Sequence, residues 1–204
     1  PCQNICSQIN ILGIWNFRKI IMVKLTGKSC MNEADIKNIV LYGAGVVAQC
    51  AISYFRDDPR YNIRAVVVDE KYWKQNSILG LPVYSYTDFK NKFQKSEIFL
   101  NVCIGYSELN CSRQRVCQRL LKDGWELGSL IHSSNKIDDC SFGSNTIIFP
   151  NCNIQPFVSM GMGNIIWPGS MIGHHSKIGD FNWFTSHSLI GGHAEIGNNN
   201  FFGI

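Results

Sequence analysis

Ile172-Gly173-His174-His175-Ser176-Lys177-Ile178-Gly179-Asp180-Phe181 decides how the chain is read, because a large apolar residue followed by glycine returns after six positions. Followed in both directions, the large residue recurs without a break at Phe142, Ile148, Ile154, Met160, Ile166, Ile172, Ile178, Phe184, Ile190, Ile196 and Phe202. At 45% apolar content such a run has a chance probability on the order of 10^-4 in a given frame. Two positions before each lies a small or compact residue: Cys140, Thr146, Cys152, Val158, Asn164, Ser170, Ser176, Asn182, Ser188, Ala194 and Asn200. One position after, glycine recurs at Gly143, Gly161, Gly173, Gly179, Gly191, Gly197 and Gly203. A helix repeats at 3.6 residues and a strand at 2, so neither gives a period of six. A parallel β-helix of short strands and tight corners does. Its large residue fills the interior, the small one fits a crowded corner, and glycine tolerates the turn.

Outside the repeat, size and charge set bounds. The 204 residues allow one large domain or two small ones, each with a real core. A net charge of +4, scattered rather than blocked, argues against a nucleic-acid partner and is compatible with anionic nucleotides or CoA. The nine cysteines are odd in number, dispersed and without CxxC spacing, which fits buried free thiols in a reducing cytoplasm. No uncharged apolar run reaches 18 residues, so no membrane insertion is expected. Residues 1–36 are set apart as an uncertain extension. The chain opens on Pro1, Ile11 to Leu25 is apolar but broken by Arg18, Lys19 and Lys24, and Met22 and Met31 each offer a start. The chain stops at Ile204 in mid-repeat without a polar cap, so a slightly longer protein is expected.

Residues 37–134 alternate strand and helix patterns. Lys37 to Tyr42 is an apolar strand leading into Gly43-Ala44-Gly45 and a helix from Val46 to about Arg56. Further strands are expected at Ile63–Val68, Gly80–Val83, Ile98–Ile104 and Trp125–Ile131, with helices at Asp88–Gln94 and Glu108–Asp123. Such alternation implies a mostly parallel sheet covered by helices. The polar stretch His132–Lys136 marks the boundary, with the β-helix taking residues 135–204. The Gly43-x-Gly45 turn stands between strand and helix, where backbone amides can approach a phosphate, and Asp69 ends the second strand, where a ribose hydroxyl is often held. Ala48 replaces the third glycine of that fingerprint, and a glycine turn of this kind is also a common structural feature.

Four of the five histidines, His174, His175, His187 and His193, fall in the repeat, outside both the large and the small registers. Three hexads make one coil of 18 residues, so His174 and Gly192 (174 + 18 = 192) are vertical neighbours. A potential base is thereby paired with a backbone N–H that can face the same reacting atom.

These residues carry a resemblance. Residues 37–204 resemble the left-handed β-helix (hexapeptide-repeat) acyltransferases that modify sugars, the sialic acid O-acetyltransferases and UDP-amino-sugar N-acetyltransferases. It rests on Ile172 to Phe181, on Ile190-Gly191-Gly192-His193-Ala194-Glu195-Ile196-Gly197 and on Phe202-Gly203. The resemblance implies a Rossmann-like nucleotide-sugar-binding domain followed by a left-handed β-helix. It implies His174 as catalytic base, Gly192 as donor to the acyl carbonyl, and Ile190, Gly191, Gly192 and Gly203 along acetyl-CoA. Gly43, Gly45, Asp69, Glu70, Gly105, Arg113 and His175 would lie on the acceptor side. It further implies a cytoplasmic homotrimer with CoA in a groove between copies, working in polysaccharide or glycan biosynthesis, and no metal.

Three departures bear on the acceptor and on the orientation of His174. Val46-Val47 stand where many members have Gly-His, His175 follows the catalytic histidine where a carboxylate is frequent, and Trp183 replaces a second histidine. The expected reaction is acetyl transfer from acetyl-CoA to an amino or hydroxyl group of a sugar. A neutral imidazole would take the proton and a fixed N–H would hold the oxyanion, with no covalent intermediate. Trp167 and Trp183 are expected as exposed aromatics at an interface. Three alternatives stay open: an acyltransferase of another acceptor class, a non-catalytic trimeric binding protein, and a γ-class carbonic anhydrase-like zinc enzyme using His174, His187 and His193.

Overall fold

The computed structural model describes residues 36–203. The extension and its candidate start sites Met22 and Met31 lie outside the described residues. From Leu130 onward the chain winds as a left-handed β-helix of two-residue strands: β6 (Leu130–Ile131), β7 (Lys136–Ile137), β8 (Ser141–Phe142), β9 (Ile147–Ile148), β10 (Asn153–Ile154), β11 (Ser159–Met160), β12 (Ile165–Ile166), β13 (Met171–Ile172), β14 (Lys177–Ile178), β15 (Trp183–Phe184), β16 (Leu189–Ile190), β17 (Glu195–Ile196) and β18 (Phe201–Phe202). All pairings between coils are parallel, and they collect the strands into three sheets ordered β16-β13-β10-β7, β17-β14-β11-β8 and β18-β15-β12-β9-β6. Register holds at 18 residues, as in Met171↔Leu189 (β13, Met171–Ile172, with β16, Leu189–Ile190) and Lys177↔Glu195 (β14, Lys177–Ile178, with β17, Glu195–Ile196). Every large residue of the six-residue series points inward. Ile148, Ile154, Ile166, Ile172, Ile178 and Phe184 are among those that fuse into one core running the length of the prism. Burying each contributes roughly 1.5–3 kcal/mol.

The β-helix starts earlier than its periodicity announces. Leu130↔Ile147 and Lys136↔Asn153 are 17 residues apart, so the first coil is one residue short. Leu130–Ile131, expected to close the preceding sheet, instead opens this one, and only Leu127 bridges to the sheet strand containing Leu100.

The corners also differ from expectation in their physical cause. The recurring glycines do not supply the turn. A Cβ at Gly173 would lie 2.3 Å from the Gly192 nitrogen, so glycine is required by the contact between coils. The left-handed conformation falls two positions later, at Asn145, Asn151, Phe157, Gly163, Gly169, His175, Phe181, His187, His193 and Asn199, with φ between 56° and 75°. The small residues do more than fit. Asn182 Nδ2 donates to the carbonyls of Gly179 (3.2 Å) and Gly197 (3.0 Å), and Asn182 Oδ1 accepts from the backbone and side-chain amides of Asn200 (2.9 Å each). Asn164 repeats the pattern one coil earlier, and Ser170 bridges the carbonyls of Trp167 and Thr185. These side chains satisfy corner carbonyls that no strand can reach.

Residues 37–128 form a sheet ordered β3-β4-β2-β1-β5, in which β4 (Leu81–Ser85), β2 (Tyr61–Val68), β1 (Lys37–Tyr42) and β5 (Phe99–Val102) are parallel and β3 (Ser77–Ile78) is an antiparallel edge. The second halves of its central strands, Ile39 to Tyr42 and Ala65 to Val68, are apolar because both faces are buried there. Val40, Val67 and Val102 pack under α2 (Tyr86–Lys92) and α3 (Cys111–Lys122). Ile39, Leu41 and Val66 pack with α1 (Val46–Phe55), and that cluster continues into Ile147, Phe149, Ile165 and Trp183 on one face of the prism. The sheet and the β-helix therefore share a core. Asn145 Oδ1 accepts from the Val102 amide (2.6 Å), and Arg60, paired with buried Asp58 (2.6 Å), donates to the Ile131 carbonyl (2.6 Å). Among the described residues no helix is long and apolar enough to cross a membrane.

Two stability tests follow from these contacts. Asn182→Ala orphans the Gly197 carbonyl and the Asn200 amide, while the Gly179 carbonyl keeps Asn164 Nδ2, and should cost about 2–3 kcal/mol in chemical denaturation. Burial raises the Asp58 pKa, but the hydrogen bonds and charge of Arg60 outweigh it and hold the carboxyl below its ordinary value. Its contribution is thus complete above the unfolded pKa of about 3.9 and lost as pH falls below that. In denaturant titrations the stability gap between wild type and Asp58→Asn should be constant near neutrality and close below about pH 4.

Candidate active site

His174 and His175 occupy the corner between β13 and β14, and Gly191, Gly192 and His193 the same corner one coil on. The coil spacing sets their contact. A Cβ on Gly192 would fall 2.9 Å from both Cε1 and Nε2 of His174, so the imidazole lies directly against the glycine. The His174 amide donates to Gln155 Oε1 (3.0 Å) and its carbonyl accepts from the His193 amide (2.8 Å), which fixes the backbone from the coils on either side. The Gly192 N–H meets no acceptor among the described residues. Side by side stand a ring nitrogen able to take a proton and an N–H able to hold a developing oxyanion.

His174 Nδ1 lies 3.1 Å from His175 Nδ1. His175 (φ 60°) stacks on His193 (φ 58°), with ring centroids 4.9 Å apart and planes 16° apart, and Phe157 continues the column below at 4.8 Å from His175. Ring nitrogens of His174, His175 and His193 all lie within 4.8 Å of one another. His187, offered with His174 and His193 as a zinc ligand, is on a different corner with its ring over Gly169; His175 takes that place. The Ile190 side chain points into the prism, so only its backbone is available to a ligand. Gly203 follows β18, on another sheet from the histidine corner.

A second concavity of about 1100 Å³ opens where the sheet meets the prism, lined by Gly43, Gly45, Asp69, Gly105, Tyr106, Trp167 and Trp183 among others. Gly43 (φ 116°) is glycine of necessity, since a Cβ would meet the Cys103 carbonyl oxygen at 2.9 Å. Lys71, Lys74, Arg115 and Arg119 against Asp69 and Glu108 leave the lining with two excess positive charges (4 − 2). Asp69 accepts from the Tyr42 hydroxyl (2.6 Å) and pairs with Arg119 (2.8 Å). Burial, reinforced by Asp69, pushes the Tyr42 hydroxyl far above its ordinary pKa and keeps it a donor. The loop over the pocket holds Glu108, Leu109 and Asn110 at φ 53°, 48° and 67°, and Tyr106 in it packs on Trp183 (5.2 Å) and Phe201 (4.8 Å).

Four expectations need correction here. Arg113 does not reach the pocket: it is 0% exposed, with Nε donating to the Gly163 carbonyl and Nη1 to those of Ile104 and Gly105, tying α3 to the prism, while Nη2 has no partner among the described residues. Glu70 is absent from the lining and caps α2 through the Thr87 amide and hydroxyl, bonds that hold its carboxyl below its ordinary pKa. Trp183 is only 5% exposed and Trp167 is half-buried, both covered by the chain's own sheet. His175 lies beside His174, away from the pocket. Gln155 was missed, although 155 + 18 = 173 puts it under the same corner.

No protein-family model matches the sequence, and no curated protein matches it. Solved structures do. WeeI from Acinetobacter baumannii AYE aligns with TM-score 0.64 at 21% identity, over 79% of this chain and 75% of that one. The acetyltransferase domain of PglB from Neisseria gonorrhoeae FA1090 aligns with TM-score 0.55 at 18% identity, over 82% and 91%. PerB from Caulobacter crescentus, in complex with CoA and GDP-perosamine, aligns with TM-score 0.52 at 19% identity, over 81% and 88%. The likeness is one of fold.

The fit of His174 against Gly192 is testable alone. Gly192→Ala should leave the thermal midpoint within about 3 °C yet push the imidazole off the amide, read as a displaced His174 ring resonance in NMR spectra.

Proposed function

We propose that the protein transfers an acetyl group from acetyl-CoA to an amino or hydroxyl group of a nucleotide-linked sugar. The observation that carries this reading is the His174 imidazole resting on Gly192, whose N–H has no acceptor among the described residues. The fold neighbours support it. The PglB acetyltransferase domain was solved with acetyl coenzyme A, and PerB with CoA and GDP-perosamine.

In this mechanism His174 Nε2 removes the proton as the acceptor nitrogen or oxygen attacks the thioester carbonyl. The Gly192 N–H receives the resulting oxyanion. Collapse breaks the carbon–sulfur bond, and the imidazolium returns its proton to the departing thiolate. Nδ1–H of His174 then donates to His175 Nδ1 (3.1 Å), so His175 holds the tautomer that leaves Nε2 free. CoA follows the corner of Ile190, Gly191 and Gly192. The Rossmann-like unit binds the nucleotide, with Gly43 and Gly45 toward phosphate, Asp69 toward the sugar, and Lys71 and Lys74 neutralising charge.

Topology bears on assembly. The pocket lies against the sheet containing β12 and β15, whereas His174 sits on the prism edge between the other two sheets. Acceptor pocket and base belong to opposite sides of one chain, so a neighbouring copy completes the site, and a closed ring of three prisms does so symmetrically. Acetyl-CoA and nucleotide sugars as substrates favour a cytoplasmic reaction that feeds polysaccharide or glycan assembly.

Thiol release from acetyl-CoA with a panel of nucleotide amino-sugars and free sialic acid tests the reading. Turnover with one acceptor should fall at least about 10^2-fold in His174→Ala. Equal turnover in both proteins removes His174 from the mechanism.

A further inference from the structure

Two imidazole nitrogens facing each other at 3.1 Å share either a proton or an ion. At the His174 corner a third imidazole is within reach. His175 and His193 stand one coil apart (175 + 18 = 193) in the same left-handed conformation, with nearly parallel rings, and His174 is almost perpendicular to both (88° and 89°). No ring-nitrogen pair among the three ligand atoms exceeds 4.8 Å. Tetrahedral zinc with bonds near 2.0–2.1 Å needs its ligand nitrogens about 3.3 Å apart. The observed Nδ1 pair is close to that value, and the exposed rings close the rest by side-chain rotation. The backbones beneath them are fixed: His174 by Gln155, His193 by the His174 carbonyl, and both φ-positive residues by the corner itself.

We infer that His174, His175 and His193 form a binding site for a borderline divalent transition ion such as Zn2+, with a fourth position open to water. Three neutral nitrogen donors and no carboxylate select such an ion against Mg2+ or Ca2+. The ion takes a His174 nitrogen. On the acetyl-transfer reading proposed above, which this consequence alone rests on, metal and catalysis then compete for one side chain, and zinc is an inhibitor.

The test is calorimetric titration of the full chain with ZnCl2, with MgCl2 as control. Asn is the natural replacement, because Asn145, Asn151 and Asn199 already hold the left-handed conformation at equivalent corners. His187→Asn is the matched control, a lone corner histidine with φ 60°. Wild type and His187→Asn should bind one Zn2+ per chain with equal affinity, His175→Asn and His193→Asn at least about tenfold more weakly, and Mg2+ should give no heat. Zinc affinity unchanged within twofold in both His175→Asn and His193→Asn overturns the site, as does a loss confined to His187→Asn. These readouts need no substrate, so they stand or fall separately from acetyl transfer. Where transfer is measured, added Zn2+ should abolish it in wild type and EDTA restore it.

Discussion

The spacing of one β-helix coil upon the next governs the molecule. Backbone hydrogen bonds between parallel strands fix that spacing near 4.8 Å, and the 18-residue register fixes what lies above what. Phe184 lies flat on Phe202 (4.7 Å, 2° between planes), Asn164 stacks under Asn182 and Asn200, and His174 lies against Gly192. None of these contacts requires its own local design, since each is a consequence of coil length. The same spacing leaves no room for a Cβ at Gly173, which makes that glycine a condition of the stacking that brings His174 to Gly192.

A uniform prism would have three equivalent faces, and the outward residues break that equivalence. On one face the positions before the interior residue are Ile147, Ile165, Trp183 and Phe201; on the others they are Asn153, Met171 and Leu189, or Ser159, Lys177 and Glu195. Only the first is apolar and aromatic at every level, and there the parallel sheet docks to make a shared core. Burial of that face creates the pocket between sheet and prism and keeps the histidine edge clear, because the edge lies between the other two faces, on which no sheet docks. Hydrophobic asymmetry thus puts the pocket and the histidine edge on different sides of a single chain.

The interior of the β-helix was legible because its period is strict and its residue type narrow. The one-residue deletion between Ile137 and Phe142 hid the first coil, since a five-residue step shifts every earlier position out of frame. The vertical pairing of His174 with Gly192 followed from coil length alone. The fates of Arg113 and Glu70 were not legible. Whether a guanidinium meets a ligand or three carbonyls depends on the packing of α3 against Gly163, 50 residues away, which no local spacing encodes. The tryptophans were misjudged as exposed because their apolar column was read one hexad at a time rather than every third hexad.

The identity of residues in the left-handed corners carries a further argument. That conformation disfavours side chains other than Gly and Asn, by roughly 1–2 kcal/mol in the helical case. The corner against α3 reads Asn145, Gly163, Phe181 and Asn199, with Phe181 buried in the core and Asn145 and Asn199 bonded to the sheet unit. There the bulky or polar side chain has a structural use. The corner carrying Phe157, His175 and His193 is solvent-facing, with no sheet unit packed on it, and still holds three rings at positive φ where asparagine would be less strained. Strain kept at an exposed edge without a packing return is a mark of use by something other than folding. Three such rings form one column beside His174, against the lone His187 on another exposed corner, so the strain is densest where an imidazole, an amide without an acceptor among the described residues and open solvent coincide.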